Sequence, residues 1–390
     1  MLFILLWIAP FWGNAQRSEA VRVLKAYAFS KGIDTLCRTS DSACVRMYVS
    51  ELLYGHSPRG LAFEGVPGKP DETVLSALTD SVLSGKNWYA ALRVREPADL
   101  RYCYLEDYWA RAGSDEYAVD AATQASLKAA LNEYRWLNRF SVAVKIVVNI
   151  PAAQLEARSN AGKVVLRSRV IAGKKSTPTP AFSAPVTQVI TYPYWNVPAS
   201  ITQKELLPRL KANPALLNEM SMQVIDRTGR VVDPETIDWK KPFPYRLRQS
   251  TGCDNSLGVM KFQVVSPFDI YLHDTNNRRA FSGKNRFLSH GCVRVEKPVE
   301  LANLLLGYRA FAASFLTICP ATPSSKTYRI APSVPVFFLY RTLDVTDTGE
   351  LVFYDDIYAK EKQDQPNGRG GEAEKENLEI LPSKPFHPTQ

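Results

Sequence analysis

Histidine is scarce in this chain, with four in 390 residues. Cysteine is sparse as well. The six, at 37, 44, 103, 253, 292 and 319, are too few for a disulfide framework in a protein of this size. Cys37 and Cys44 are near enough in sequence to pair, and an oxidising compartment would permit it. The plainer expectation is that every cysteine except Cys292 is an ordinary core thiol. No Cys-x-x-Cys pair and no His-x-x-x-His occurs, so a zinc site has no support. No stretch after the amino terminus reaches the ~18 apolar residues that a membrane-spanning helix needs. No nucleic-acid recognition motif is visible, so the net charge of +9 points to other anionic surroundings.

What is present is ordinary for a soluble globular protein: 45% hydrophobic and 22% charged residues, in a chain long enough for two domains and a sizeable core. Residues 1–15 are apolar and end in Gly13-Asn14-Ala15, which reads as a secretory signal with a small-residue cleavage site. Only the amino terminus supplies its positive charge, so a fragmentary start or an uncleaved anchor is the alternative. Residues 16–140 form an expected helical N-terminal domain. Apolar residues recur at three and four in 21–29, 45–53, 72–83, 98–108 and 121–136, and Pro67-Gly68-Lys69-Pro70 interrupts the series.

From residue 141 the period changes to two. The β-branched run 142–150 ends at Pro151, and 163–172, 186–192, 260–265 and 269–273 read as further strands. Between the third strand and Gly252 lies an insertion, about 196–250, with a helix expected at 204–211, a second short helix, and a strand pair around 223–232. An insertion just before the site strands is a reasonable lid. A helix is expected over 298–312, with strands near 336–340 and 351–354. Residues 360–390 are charged and Gly/Pro-rich and are expected to be disordered. The fold class is therefore α+β: a mostly β domain over 141–320 with an inserted cap, a helical domain before it, and C-terminal strands over 321–359.

Two of the four histidines bracket one cysteine. His273 lies in Tyr271-Leu272-His273-Asp274-Thr275, and His290 in Ser289-His290-Gly291-Cys292-Val293-Arg294. A thiol attacks carbonyl carbon usefully as thiolate, and a neighbouring imidazole that takes its proton supplies that form. A glycine beside the nucleophile lets backbone N–H groups approach a developing oxyanion. An isolated Cys-His pair is more often a buried thiol beside a structural histidine; histidine scarcity and the Ser-His-Gly-Cys context favour chemistry here. Arg294 is suited to bidentate binding of a carboxylate. Arg278, Arg279, Lys284 and Arg286 lie between the two histidines, with Asp274 the lone acid from 274 to 291. That loop either draws carboxylates to the site or is basic for solubility.

A histidine followed, after the fifteen residues 274–288, by Ser-His-Gly-Cys resembles the signature of L,D-transpeptidases with a YkuD-type catalytic domain. The segments Pro193-Tyr194-Trp195-Asn196-Val197-Pro198 and 255–262 are similar to segments of the large periplasmic murein enzymes of that family. The resemblance covers 141 to about 318 and carries several implications. It implies a two-step acyl transfer with Cys292 as nucleophile and His273 as base, without metal or cofactor. His290 would lie beside the site, and Gly291 and Cys292 would supply the oxyanion N–H groups. Ser289 would either donate to the same oxyanion or cap a turn. The His273 ring would be oriented by the Asp274 carbonyl, with the Asp274 carboxylate as a rival. Arg294 would bind a substrate carboxylate, and Trp195 and Tyr194 would line the cleft or serve as packing. Gly258 and Lys261 read as structural. Cys253 would either approach Cys292 as a redox partner or stay passive.

The implied partners are peptidoglycan stem peptides, a donor tetrapeptide and an acceptor amine, and the product a 3→3 cross-link. Nucleic acid is not expected, nor a membrane span after signal cleavage. The implied location is the periplasm or cell envelope. Hydrolysis at the same site would make an L,D-carboxypeptidase, and exchange with free amines is a further outcome. The non-enzymatic alternative is a wall-binding scaffold. The family's accessory peptidoglycan-binding module has no visible pattern in 16–140.

Overall fold

The computed structural model describes residues 8–112 and 119–360. The first seven residues of the expected signal and residues 361–390 of the expected tail lie outside them. The N-terminal region holds α1 (Ile8–Ser30), α2 (Ser42–Tyr54), α3 (Glu72–Ser84), α4 (Trp88–Arg93), α5 (Leu100–Arg111) and α6 (Ala121–Asn138). Aspartates start four of these helices. Asp41, Asp71, Asp99 and Asp120 each accept an N–H of the first turn through the side chain, worth about 1 kcal/mol apiece. Asp99 is why α5 begins at Leu100 rather than at residue 98. Leu24, Val45, Val49, Leu52, Leu78 and Val82 form the core of α1–α3. No described helix is long and apolar enough to cross a membrane.

The strands are β1 (Leu61–Glu64), β2 (Val144–Asn149), β3 (Gln154–Ser159), β4 (Val164–Gly173) and β5 (Ala181–Thr191). Within the insertion come β6 (Trp195–Asn196), β7 (Met222–Ile225), β8 (Val231–Val232) and β9 (Arg246–Gln249). Then follow β10 (Met260–Val264), β11 (Leu272–His273), β12 (Phe287–Ser289), β13 (Val293–Val295), β14 (Lys326–Leu339), β15 (Leu343–Val345) and β16 (Leu351–Phe353). The large sheet runs β5-β10-β11-β13-β4-β3-β2-β14, and β14 also pairs with β5, so these strands close into a ring. β14 thus completes the ring rather than trailing after it. β1, which no sequence period announces, adds to β5 in parallel, and β12 adds to β4.

Val148, Val170, Phe182, Phe262, Leu272, Val293 and Phe338 fill the interior of the ring. α10 (Pro298–Leu306) contributes Val299, Leu301, Ala302 and Leu305 to the same core. It stops short of residue 312 because Gly307 takes the left-handed conformation (φ +77°) and its N–H closes the helix on Asn303 and Leu304. On the outside of the ring, Trp136 of α6 and Phe140 just after it pack against Phe337 at ring-centroid distances of 5.3 and 4.6 Å.

The unexpected strand β3 carries Glu156 and Arg158, both nearly inaccessible. Buried charges break the alternation that marks a strand, so the sequence hides it. Glu156 accepts from Arg101 (2.9 Å), Arg158 (2.6 Å) and Arg167 (2.9 Å). Arg158 also donates to Asp99 at the start of α5 (2.5 Å), and Arg341 joins Glu133 of α6 (2.8 Å) to Asp344 of β15 (2.5 Å). The network ties helices, ring and the β15–β16 hairpin together around a cavity of about 350 Å³.

The insertion folds around its own core of Val197, Leu206, Leu210, Leu217, Met222, Val224 and Leu247. Its sheet runs β6-β9-β7-β8. Its helical part is α7 (Ala199–Ile201), a π-helical turn Thr202–Leu206, α8 (Leu207–Ala212) and α9 (Leu216–Glu219).

Burial alone would raise the Glu156 carboxyl, but Arg158 and Arg101 outweigh it and hold its pKa down to about 2. A carboxylate depressed in this way stabilises the fold above its unfolded pKa of 4.5, and that stability disappears as pH falls towards 2. Glu156→Ala is expected to cost about 3–5 kcal/mol in urea unfolding at neutral pH, because it strands buried guanidinium groups. Glu156→Gln should show a shallower loss of stability than wild type between pH 4.5 and 2.

Candidate active site

Three neighbouring strands assemble the site. β10 pairs with β11 at Lys261↔His273, and β11 pairs with β13 at His273↔Arg294. Lys261, His273 and Arg294 therefore stand in one row. Their neighbours Phe262, Leu272 and Val293 point the other way, into the ring. Cys292 precedes β13 by one residue and stands on the row's face beside Tyr271, whose carbonyl accepts the Val293 N–H at 3.1 Å. The Tyr271 ring meets His273 edge-on, with centroids 5.6 Å apart, and carries Lys261 Nζ 4.0 Å above its centroid.

The Cys292 thiol donates to the Asp269 carbonyl at 3.7 Å. Tyr271 also hydrogen-bonds the sulfur, and no imidazole is among its described partners. Burial pushes the thiol pKa up, opposed by Tyr271 and the Lys261 cation, while Asp269 adds to the rise. His273 is buried, and burial followed by the Arg294 cation pushes its pKa down to about 3. The carbonyls of Asp274 and Leu257 favour its protonated form, yet neither makes a well-aligned hydrogen bond to the buried Nδ1. The imidazole is neutral at physiological pH and able to accept a proton.

The contacts separate several of the alternatives that the sequence leaves open. The Asp274 carboxylate does not orient His273: it accepts the Val259 N–H at 3.0 Å and pairs with Arg278. Gly258 makes room for it. At φ +63°, a Cβ there would lie 2.3 Å from Asp274 Oδ2. Ser289 is a turn cap, donating to the Cys292 carbonyl (2.5 Å) and accepting the Gly291 N–H (3.1 Å). Gly291 therefore does not present its N–H freely. Its φ of +116° still calls for glycine, and buried Thr179 holds its carbonyl at 2.7 Å.

His290 is engaged by residues outside the thiol's surroundings. Its Nε2 lies 2.6 Å from Glu205 Oε1, on the π-helical turn of the insertion, and 3.2 Å from Lys174 Nζ. Arg294 makes no ion pair among the described residues, and its Nε is buried without a partner. Trp195 is half-buried at the base of the insertion, near Tyr271. Tyr194 is exposed, with the Arg248 guanidinium 4.7 Å over its ring. In the basic loop, Arg278 is spent on Asp274 and the Glu296 carbonyl, and Arg286 reaches the Ala152 carbonyl; Arg279 and Lys284 stay exposed.

Four cysteines are not core thiols. Cys37 pairs with Cys44 and Cys253 with Cys319, which leaves Cys253 unavailable to Cys292. Sequence reasoning also passed over Tyr271 and Asp269 and read Lys261 as structural. The alternation Met260-Lys261-Phe262 placed Lys261 opposite a core face, but only the strand register shows that it looks towards His273.

Residues 143–328 match the profile of the YkuD family, described as the L,D-transpeptidase catalytic domain. This segment is similar to L,D-transpeptidase catalytic domains. A curated Haemophilus influenzae protein named "Putative L,D-transpeptidase" is 40% identical over 221 residues, which are 56% of this chain and 45% of that protein. The chain thus spans less than half the length of that relative. An L,D-transpeptidase structure from Mycobacterium smegmatis is 15% identical, covering 50% of this chain and 58% of that one, at a TM-score of 0.24. One from Enterococcus faecium is 13% identical, covering 77% and 82%, at 0.23. At that level of likeness the assignment rests on the sequence matches.

The Cys253–Cys319 bridge closes a span of 66 residues that includes Lys261, Tyr271, His273, Cys292 and Arg294. Replacing both cysteines by serine is expected to cost about 4 kcal/mol by the chain-entropy relation. Calorimetry should show a lower melting temperature for the double variant, and a larger drop for reduced wild type, in which Cys37–Cys44 opens as well.

Proposed function

We propose that the chain is an exported peptidoglycan L,D-transpeptidase that forms 3→3 cross-links through a thioester on Cys292. The Cys292 thiol gives its proton to His273, and the sulfur attacks the carbonyl at the L-centre of the diamino acid at position three of a tetrapeptide stem. The Cys292 N–H steadies the oxyanion; the Gly291 N–H joins it once Ser289 releases it. Terminal D-Ala leaves as an amine, taking its proton from the His273 imidazolium. The side-chain amine of a second stem then attacks the thioester, yields a proton to His273, and frees the sulfur. Arg294, lacking an acid of its own, binds a substrate carboxylate.

The observation that carries this reading is that Cys292, His273 and Arg294 share one face of β11 and β13. The absence of a Cys292–His273 hydrogen bond is compatible with it, since catalytic contacts often tighten only when substrate binds. The insertion, touching the site turn through His290 and Glu205, suits a cap that opens for donor and acceptor in turn. Two disulfides suit an oxidising envelope compartment.

Incubation with disaccharide tetrapeptide, read by mass spectrometry, is expected to give 3→3 dimers and an acyl adduct on Cys292. Cys292→Ala should give neither, and His273→Gln should slow acylation by at least about 100-fold. Absence of dimer from wild type, or undiminished dimer from Cys292→Ala, would overturn the proposal. Tripeptide without dimer would make the protein an L,D-carboxypeptidase instead.

A further inference from the structure

The guanidinium groups around Glu156 are buried against carboxylates, and the buried cations Arg135 and Lys145 donate to backbone carbonyls. The site row is different. Lys261 and Arg294 are both half-buried and flank the same imidazole, and neither has an ion pair among the described residues. Removing a cation from water without a partner is costly, so two such cations beside one thiol call for an anion that is formed or bound there. Arg294 has a candidate in the substrate carboxylate. Lys261 does not, and its setting is specific: the ammonium lies 4.0 Å over the Tyr271 ring, and Tyr271 is the neighbour of Cys292 across the β11–β13 pairing. The attraction between Lys261 and Cys292 is felt on both groups.

We infer that Lys261 is a positioning residue for the nucleophile: seated on Tyr271, its ammonium is the countercharge that the Cys292 thiolate faces once its proton has passed to His273. This rests on Cys292 being the nucleophile. In that step the S–H bond breaks, the electron pair stays on sulfur, and the N–H bond forms on the imidazole. The resulting imidazolium stands between two cations and is therefore a strong acid, fit to hand its proton to the departing amine but poorly fit to remain as the partner of the thiolate. Lys261 takes that part.

The charged and titratable groups facing the thiol are Lys261, Tyr271, His273 and Arg294 from the strands, and Asp269, which opposes Lys261. The insertion brings Trp195, without charge, to Tyr271. Asp269 adopts φ +51°, a conformation that asparagine also accepts, so Asp269→Asn is a mild change.

The test is the pH profile of iodoacetamide alkylation, assigned to Cys292 by peptide mapping because Cys103 is the other free thiol. Lys261→Met is expected to move the midpoint up by about one pH unit, making alkylation about tenfold slower below it. Lys261→Arg should restore the profile, and Asp269→Asn should move it downward. An unmoved midpoint in folded Lys261→Met overturns the inference, as does a Lys261→Arg profile no better than that of Lys261→Met. Should Lys261→Met fail to fold, an unmoved profile in Asp269→Asn counts against the inference. A wild-type Cys292 that is alkylated but never acylated by tetrapeptide defeats the functional reading instead, so the two failures are distinguishable.

Discussion

The chemistry of this protein depends on the hydrogen-bonded register of β11, a strand of two residues held between β10 and β13. Pairing Lys261 with His273 and His273 with Arg294 sets the imidazole between two cations. Because side chains alternate across a strand, a slip of one residue would turn His273 into the ring and bring Leu272 to the site. Phe262, Leu272 and Val293, buried inside the ring, hold the register by their apolar contacts. A strand this short cannot fix itself. It is held because β14 pairs with both β2 and β5 and leaves the ring no free edge at which to unravel.

The electrostatics follow from that placement. An imidazole that is buried and flanked by Arg294 and Lys261 stays neutral, with its pKa near 3, and so it is a proton acceptor at rest. The same two cations favour negative charge on the neighbouring sulfur. Desolvation, with Asp269 adding to it, outweighs them and raises the thiol pKa, so the resting sulfur keeps its proton. The Ser289 hydroxyl and buried Thr179 give the 289–292 turn its shape, and Gly291 supplies the backbone conformation that the turn requires.

Around this centre the protein is braced from two sides. The Glu156 network joins α5, α6, the ring and the β15–β16 hairpin, which makes the helical region part of the ring's support. On the other side, the Cys253–Cys319 bridge fastens the loop before β10 to the segment before β14. The insertion is less tightly joined: it has its own core and meets the site turn through the exposed contact of Glu205 with His290 and Lys174.

Much of this was legible in the amino-acid order. Helices with apolar recurrence at three and four, the β-branched strands, the inserted cap and the His-to-Cys signature all depend on residues close together in the chain, and local periodicity records them. β1 and β3 were not legible: one is four residues long, and the other buries charges whose partners lie in other elements. The sequence by itself marked most of the elements and the family resemblance, and singled out Cys292, His273 and Arg294 as candidates. The tertiary structure alone decided that Lys261 and Tyr271 join them, that Asp274 serves Val259 and Arg278 instead, that Ser289 claims the Gly291 N–H, and that four cysteines pair. Each of those outcomes is set by strand register, by turn geometry or by side-chain contact, and none of these leaves a period in the chain.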